Sequence, residues 1–266
     1  MSDFTNWGEN LVCQIVTGGT VALPETLHVG LLQSADDETL TEVSWQGYTR
    51  FPLPRQLDTW SGTQGATSTG ISNGSSRAIY NLIDFDFGVA AGDANVTALG
   101  IYAGNNPLCY VMLDVPIAVN TDDEVKVAAG TVSLTISTVG GLTDFATNEL
   151  LDYLYRGIPH SFTNHYLVGL YVVVPSLAGG GTEVSGRGYG RAQVQMWTAP
   201  DAGVITNSEL VQFAAPTGAW GTVKGAGLTD LSGNLRFVTA FQSAKTIPAG
   251  AAAPRFPVNK ISITVQ

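Results

Sequence analysis

Short runs rich in Val, Ile, Thr and aromatic residues, some alternating apolar with polar and some wholly apolar, recur along the chain between Gly, Pro, Asn and Asp. That is the pattern of β-strands bounded by turns. It predicts strands over residues 28–33, 47–53, 83–87, 98–102, 108–115 and 131–137, then over 166–174, 189–196, 210–214, 225–229, 235–241 and 260–265. One stretch has helical spacing instead: Phe145, Leu150, Leu151, Leu154 and Tyr155 share a face, Asp144 or Thr147 can cap it, and Gly157 can end it with Pro159 just beyond. Leu11, Val12 and Ile15 predict a weaker helix near the start. No alternation of strand and helix follows, which argues against a parallel β-α-β architecture.

The chain also repeats itself. The segment Thr41-Glu42-Val43-Ser44-Trp45-Gln46-Gly47-Tyr48-Thr49-Arg50 returns as Thr182-Glu183-Val184-Ser185-Gly186-Arg187-Gly188-Tyr189-Gly190-Arg191, identical at seven positions of ten. Flanking pieces keep the order: Asp3-Phe4 matches Asp144-Phe145, Val29-Gly30-Leu31 matches Val168-Gly169-Leu170, and Val125 to Ile136 resembles Pro254 to Val265. Offsets between matched pieces run from 129 to 141 residues, so insertions separate the copies, chiefly the Gly/Ser/Thr-rich residues 61–76, which read as a surface loop. The expected fold is mainly β: two tandem β-sandwich lobes of jelly-roll kind, each with a short N-terminal helix. They are expected over residues 1–138 and 142–266, joined by a flexible linker near Val139-Gly140-Gly141.

Composition sharpens this picture. Of 266 residues only 13% are charged, where an ordinary soluble domain has roughly a quarter, and 44% are hydrophobic. Small polar and apolar side chains must therefore cover much of the surface, which favours burial against partners. The net charge is -10 and no run of Lys or Arg occurs, which argues against nucleic-acid binding. On net charge alone, contacts between copies are expected to be no weaker in high salt. The longest apolar stretch, residues 166–175, is too short to span a bilayer as a helix, and the acidic start does not resemble a signal peptide. The expectation is a protein made in the cytoplasm, with no membrane contact. Cys13 and Cys109 both lie in the first half and read as buried free thiols.

Catalytic signatures are lacking. The runs Gly179-Gly180-Gly181 and Gly186-Arg187-Gly188-Tyr189-Gly190 have no Gly-Lys-Ser/Thr continuation and read as turns. His28, His160 and His165 lack metal-ligand spacing, no Gly-x-Ser-x-Gly elbow is present, and neither cysteine has a recognisable His companion. Asp122, Asp123 and Glu124 read as a solvated turn. Asp84 and Asp86 alternate with Ile83, Phe85 and Phe87 on the outer face of a strand, and the second copy has no such pair. No catalytic residue, metal or cofactor is expected. The retained residues Glu42, Tyr48, Arg50, Glu183, Tyr189 and Arg191 are the framework or interface candidates. Tyr and Arg of each copy share one strand face, and the Glu across a glycine-bearing turn is their ion-pair partner.

The stretch from Leu177 through Gly179-Gly180-Gly181-Thr182-Glu183-Val184-Ser185 to Arg191 resembles a segment of small structural proteins of tailed bacteriophages, often labelled tail fibre or virion structural proteins. The likeness extends to Leu150-Leu151-Asp152-Tyr153-Leu154-Tyr155-Arg156-Gly157, to Asn207, and to Trp220-Gly221-Thr222-Val223. The first copy is a looser match, with the acidic run Ser34-Ala35-Asp36-Asp37-Glu38 in place of the glycine triplet. The resemblance implies a non-enzymatic virion component whose partners are further copies of itself and other virion proteins. Two classes follow. A capsid decoration or cement protein is favoured, because the low charge suits flat repeated contacts and neither a repetitive shaft nor a distinct distal domain is visible. A tail fibre or other host-binding tail protein is the alternative.

Overall fold

The computed structural model describes residues 2–136 and 141–265. The predicted linker residues Val139 and Gly140 lie outside the described residues. The first half comprises β1 (Ser2–Phe4), α1 (Asn6–Val16), β2 (Thr26–Ala35), β3 (Leu40–Glu42), β4 (Phe51–Pro54), β5 (Ala78–Tyr80), β6 (Phe85–Val89), β7 (Ala94–Ala103), β8 (Asn106–Val119), β9 (Glu124–Val127) and β10 (Ser133–Thr135). The second comprises α2 (Asp144–Arg156), β11 (Tyr166–Val173), β12 (Thr182–Glu183), β13 (Ala192–Val194), β14 (Val204–Thr206), β15 (Val211–Gln212), β16 (Gly221–Thr229), β17 (Leu235–Ile247), β18 (Arg255–Phe256) and β19 (Ser262–Thr264).

The two halves pair their strands alike. The main antiparallel sheet runs β1-β8-β7-β2-β3 in the first, with β4 also on β2, and β12-β11-β16-β17 in the second, with β13 also on β11. Each sheet is accompanied by two ribbons, β5 with β10 and β6 with β9, then β14 with β19 and β15 with β18. Equivalent residues meet in equivalent registers: Gly30 faces Gly100, and Gly169 faces Gly227. Even the irregularities recur. Between Val96 and Ala98 the partner strand advances from Ile117 to Met112, and between Val223 and Gly225 it advances from Lys245 to Ala240, so both long hairpins carry the same bulge. The mainly β fold with tandem halves and leading helices is as the sequence predicts.

Each helix starts identically. Thr5 and Thr143 are the N-caps, their hydroxyls accepting from Gly8 N and Ala146 N while donating to Pro107 O and Leu235 O. The cap of α2 is therefore Thr143, not Asp144 or Thr147. Gly157 ends α2 in the left-handed conformation at φ 71°, as predicted. Gly8 lets α1 lie directly on β8, since a Cβ there would sit 1.9 Å from Leu108 O. Phe145 departs from the apolar face: it is half exposed, under the guanidinium of Arg236.

Both helices also reach into the opposite half. From α1, Asn10 Oδ1 accepts from Gly203 N, and Cys13 Sγ lies 3.3 Å from Gly203 O. From α2, Asn148 bonds Thr63 and Gly74 O, Asp152 accepts from Ser72, and Arg156 donates to Trp60 O and Gly70 O. The last carbonyls are exchanged as well: Tyr166 Oη donates to Val16 O, and Arg55 donates to the carbonyls of Tyr153 and Leu154. One apolar core accordingly runs through both halves, with Trp60 packed at a tilt against Tyr155 and Phe85. The loop at residues 61–76 is not simply a surface loop. Thr63 and Ser72 are buried because the polar side chains of α2 satisfy them, and Ser61 is buried against β5, where its hydroxyl accepts from Tyr80 N.

Candidate functional site

The duplicated block forms the same arrangement twice. In the first half Glu42 ends β3, Tyr48 follows a turn after Trp45, and Arg50 immediately precedes β4. Residues 47–50 are thus not the beginning of a strand; the turn itself brings all three side chains together. Tyr48 Oη accepts the Leu31 amide at 2.7 Å and donates to Glu42 Oε2 at 3.3 Å. Arg50 closes a fork on the same carboxylate, Nε to Oε1 at 3.0 Å and Nη2 to Oε1 at 2.6 Å. In the second half Tyr189 Oη accepts the Leu170 amide at 2.8 Å and donates to Glu183 Oε1 at 2.8 Å. Arg191 binds Glu183 with Nε to Oε1 at 2.9 Å and Nη2 to Oε2 at 2.7 Å.

The sheet beneath is shaped for these carboxylates. A Cβ on Gly30 would lie 2.8 Å from Glu42 Oε2, and one on Gly169 would lie 2.9 Å from Glu183 Oε1. A tyrosine ring covers the paired glycines from a different strand in each half. Tyr102 of β7 lies over Gly30 and Gly100, with the Arg50 guanidinium 3.4 Å from its ring centre, whereas Tyr171 of β11 lies over Gly169 and Gly227. Burial, reinforced by the adjoining carboxylate, holds the Tyr48 and Tyr189 phenols well above their ordinary range. For Glu183 burial pulls upward, but the bonds from Arg191 and Tyr189 prevail and hold its pKa below the ordinary carboxylate value. A carboxylate occupied by a guanidinium fork and a phenol is held as an acceptor, the opposite of what a general acid or base requires.

The other sequence candidates disperse. Asp84 pairs with Lys126 at 2.8 Å, and Asp123 caps its own turn at Asn120. Gly179, Gly180, Gly181, Gly186 and Gly188 all take positive φ in turns, as predicted. His160 packs edge-on against Tyr153, and His165 contacts Gln195. Among the described residues no group of three or more His, Cys, Asp or Glu is placed to hold a metal ion. Cys13 and Cys109 are free and buried, as predicted, and burial pushes both thiols up to about 12. Sequence reasoning missed Asn81 and met Asn207 only as part of the family resemblance, with no role; the two are fully buried equivalents. Asn81 donates to Ile83 O and Ala128 O and accepts from Val132 N; Asn207 donates to Glu209 O and Pro257 O and accepts from Lys260 N and Ile261 N.

This repeated architecture has a counterpart among known proteins. The family described as podophage GP4 fiber I protein gp80 matches the chain twice, over residues 3–135 and 141–264. The chain belongs to this family. No curated protein matches it. The two fiber I matches divide the chain where the sheets divide, one main sheet and one Glu-Tyr-Arg cluster in each. The family description bears out the likeness to phage structural proteins. It names a fiber, which favours the tail-fibre alternative over capsid decoration. No helix among the described residues is long and apolar enough to cross a membrane.

Proposed function

We propose that the protein is a non-catalytic subunit of a podophage tail fibre, assembled in the virion with other virion proteins. The observation that carries this reading is the fiber-family match over both halves. Residues 1–138 and 142–266 act as two repeats docked into one rigid block, because each helix is held by the opposite repeat. Glu42, Tyr48, Arg50, Glu183, Tyr189 and Arg191 serve as framework: their polar groups are consumed in bracing a turn against the sheet. The test is the position and copy number of the protein on particles, by antibody labelling and quantitative mass spectrometry. Label confined to the tail, at low copy number, is the expected result. Label spread over the whole capsid surface would restore the decoration reading and overturn this one.

A further inference from the structure

The two halves differ sharply in charge. Residues 1–138 hold 15 acidic and four basic residues, a net of -11, whereas residues 142–266 hold seven and eight, a net of +1. Half of the 12 Lys and Arg residues are matched to carboxylates among the described residues: Arg50, Arg77, Lys126, Arg156, Arg191 and Arg236 all form ion pairs. Lys245, Arg255 and Lys260 form none among the described residues, and all three line one cleft of about 700 Å³. The cleft lies in the second half beneath β17, its floor includes Phe213, Phe241 and Phe256, and no acidic residue lines it. Divergence of the repeats explains one of these free charges. Lys126 faces Asp86 across its ribbon and pairs with Asp84, while the equivalent Arg255 faces Gln212.

The outer edge of β8 in the first half has the opposite character. Beyond Val111, where β1 ends, no described strand pairs with the outer edge of β8. That bulged edge exposes Met112 (39%), Val115 (74%) and Ile117 (46%), a row of large apolar side chains with the exposed Asp114 among them. Asp114 has no ion-pair partner among the described residues. Pro116 lies in the same segment and lacks an amide to donate, so a partner is met there through side chains rather than a continuous ladder. One edge thus offers apolar side chains and a carboxylate. The other half offers an apolar cleft and unpaired cations.

We propose that the cleft beneath β17 receives the β8 edge of a second copy of this chain, with Val115 and its neighbours entering the cleft and Asp114 facing Lys245. The contact joins unlike surfaces, so copies add head to tail and either close into a ring or extend. It is held by opposite charges, and salt weakens it, the reverse of what the net charge of -10 implies.

Sedimentation of the purified full chain over a range of concentration and salt tests this. Association beyond a monomer that weakens with salt is expected. Asp114→Lys and Lys245→Glu, both at exposed positions, are each expected to raise the dissociation constant by roughly tenfold or more. An equimolar mixture of the two variants is expected to associate again, because the new Lys of one meets the new Glu of the other. That recovery also shows both variants to be folded. A chain monomeric at every concentration overturns the proposal, as does association that neither variant alters. Loss with Asp114→Lys alone, Lys245→Glu remaining like the unaltered chain, would mean a two-fold contact between β8 edges and also overturns it. The contact is measured on purified protein and the fibre reading on particles, so either can fail without the other.

Discussion

At the scale of single residues, the Glu-Tyr-Arg cluster acts through satisfaction of buried groups. Tyr189→Phe leaves the Leu170 amide and one lone pair of Glu183 without a partner, and Tyr48→Phe does the same for Leu31 and Glu42. Each is expected to cost about 1–2 kcal/mol in urea denaturation. Titration of Glu183 gives a further expectation. Its pKa is lower folded than unfolded, so its contribution is fully present above the unfolded value and is lost as pH falls through the folded one. The urea midpoint should drop as pH is lowered from about 6 to about 3, and Glu183→Gln should flatten that drop while lowering the plateau near neutral pH. Cys13 and Cys109, both pushed up to about 12 by burial, should resist thiol reagents near pH 8 until the chain is unfolded. A rapid native reaction of either thiol would mean that the helix contacts covering it open readily.

At the scale of elements, the buried asparagines do what a longer ladder would otherwise do, joining two ribbon segments through side-chain bonds. Asn81→Ala or Asn207→Ala strands several buried backbone groups and is expected to cost about 3 kcal/mol or more, read from the thermal midpoint. The long strands β2, β7, β8, β11, β16 and β17 are legible because each is long enough to hold several apolar positions between turn residues, and α2 because its stripe is closed by Gly157. Elements of two or three residues, such as β12 and β14, carry too few positions to show a period. Residues 47–50 mislead for another reason. Tyr48 and Arg50 alternate as in a strand, but they meet Glu42 by way of a turn that Gly47 forms at φ 81°. The glycine-rich loop was misjudged because polar side chains buried against α2 leave no hydrophobic periodicity. The cluster residues themselves were found by repetition alone, a signal that marks a shared constraint without saying which.

At the scale of the whole molecule, the shared core predicts one unfolding event. Calorimetry of the full chain should give a single cooperative transition, and residues 1–138 or 142–266 produced alone should not, since each would expose the groove that holds the other's helix. Two separate transitions would show that the repeats are stable apart. The contacts between the halves are reciprocal. Asn10 and Asn148 stand at equivalent positions, and each bonds into the half it does not belong to. Contacts exchanged in this way characterise a two-fold dimer, in which one patch serves both partners. Here the two partners are halves of one chain, so the pairing is intramolecular and is held by the high effective concentration of joined subunits. Because the two halves are not copies of one sequence, they differ in charge and surface. The β8 edge and the basic cleft show that difference: a pair of identical subunits has one kind of surface, whereas this chain has a front and a back.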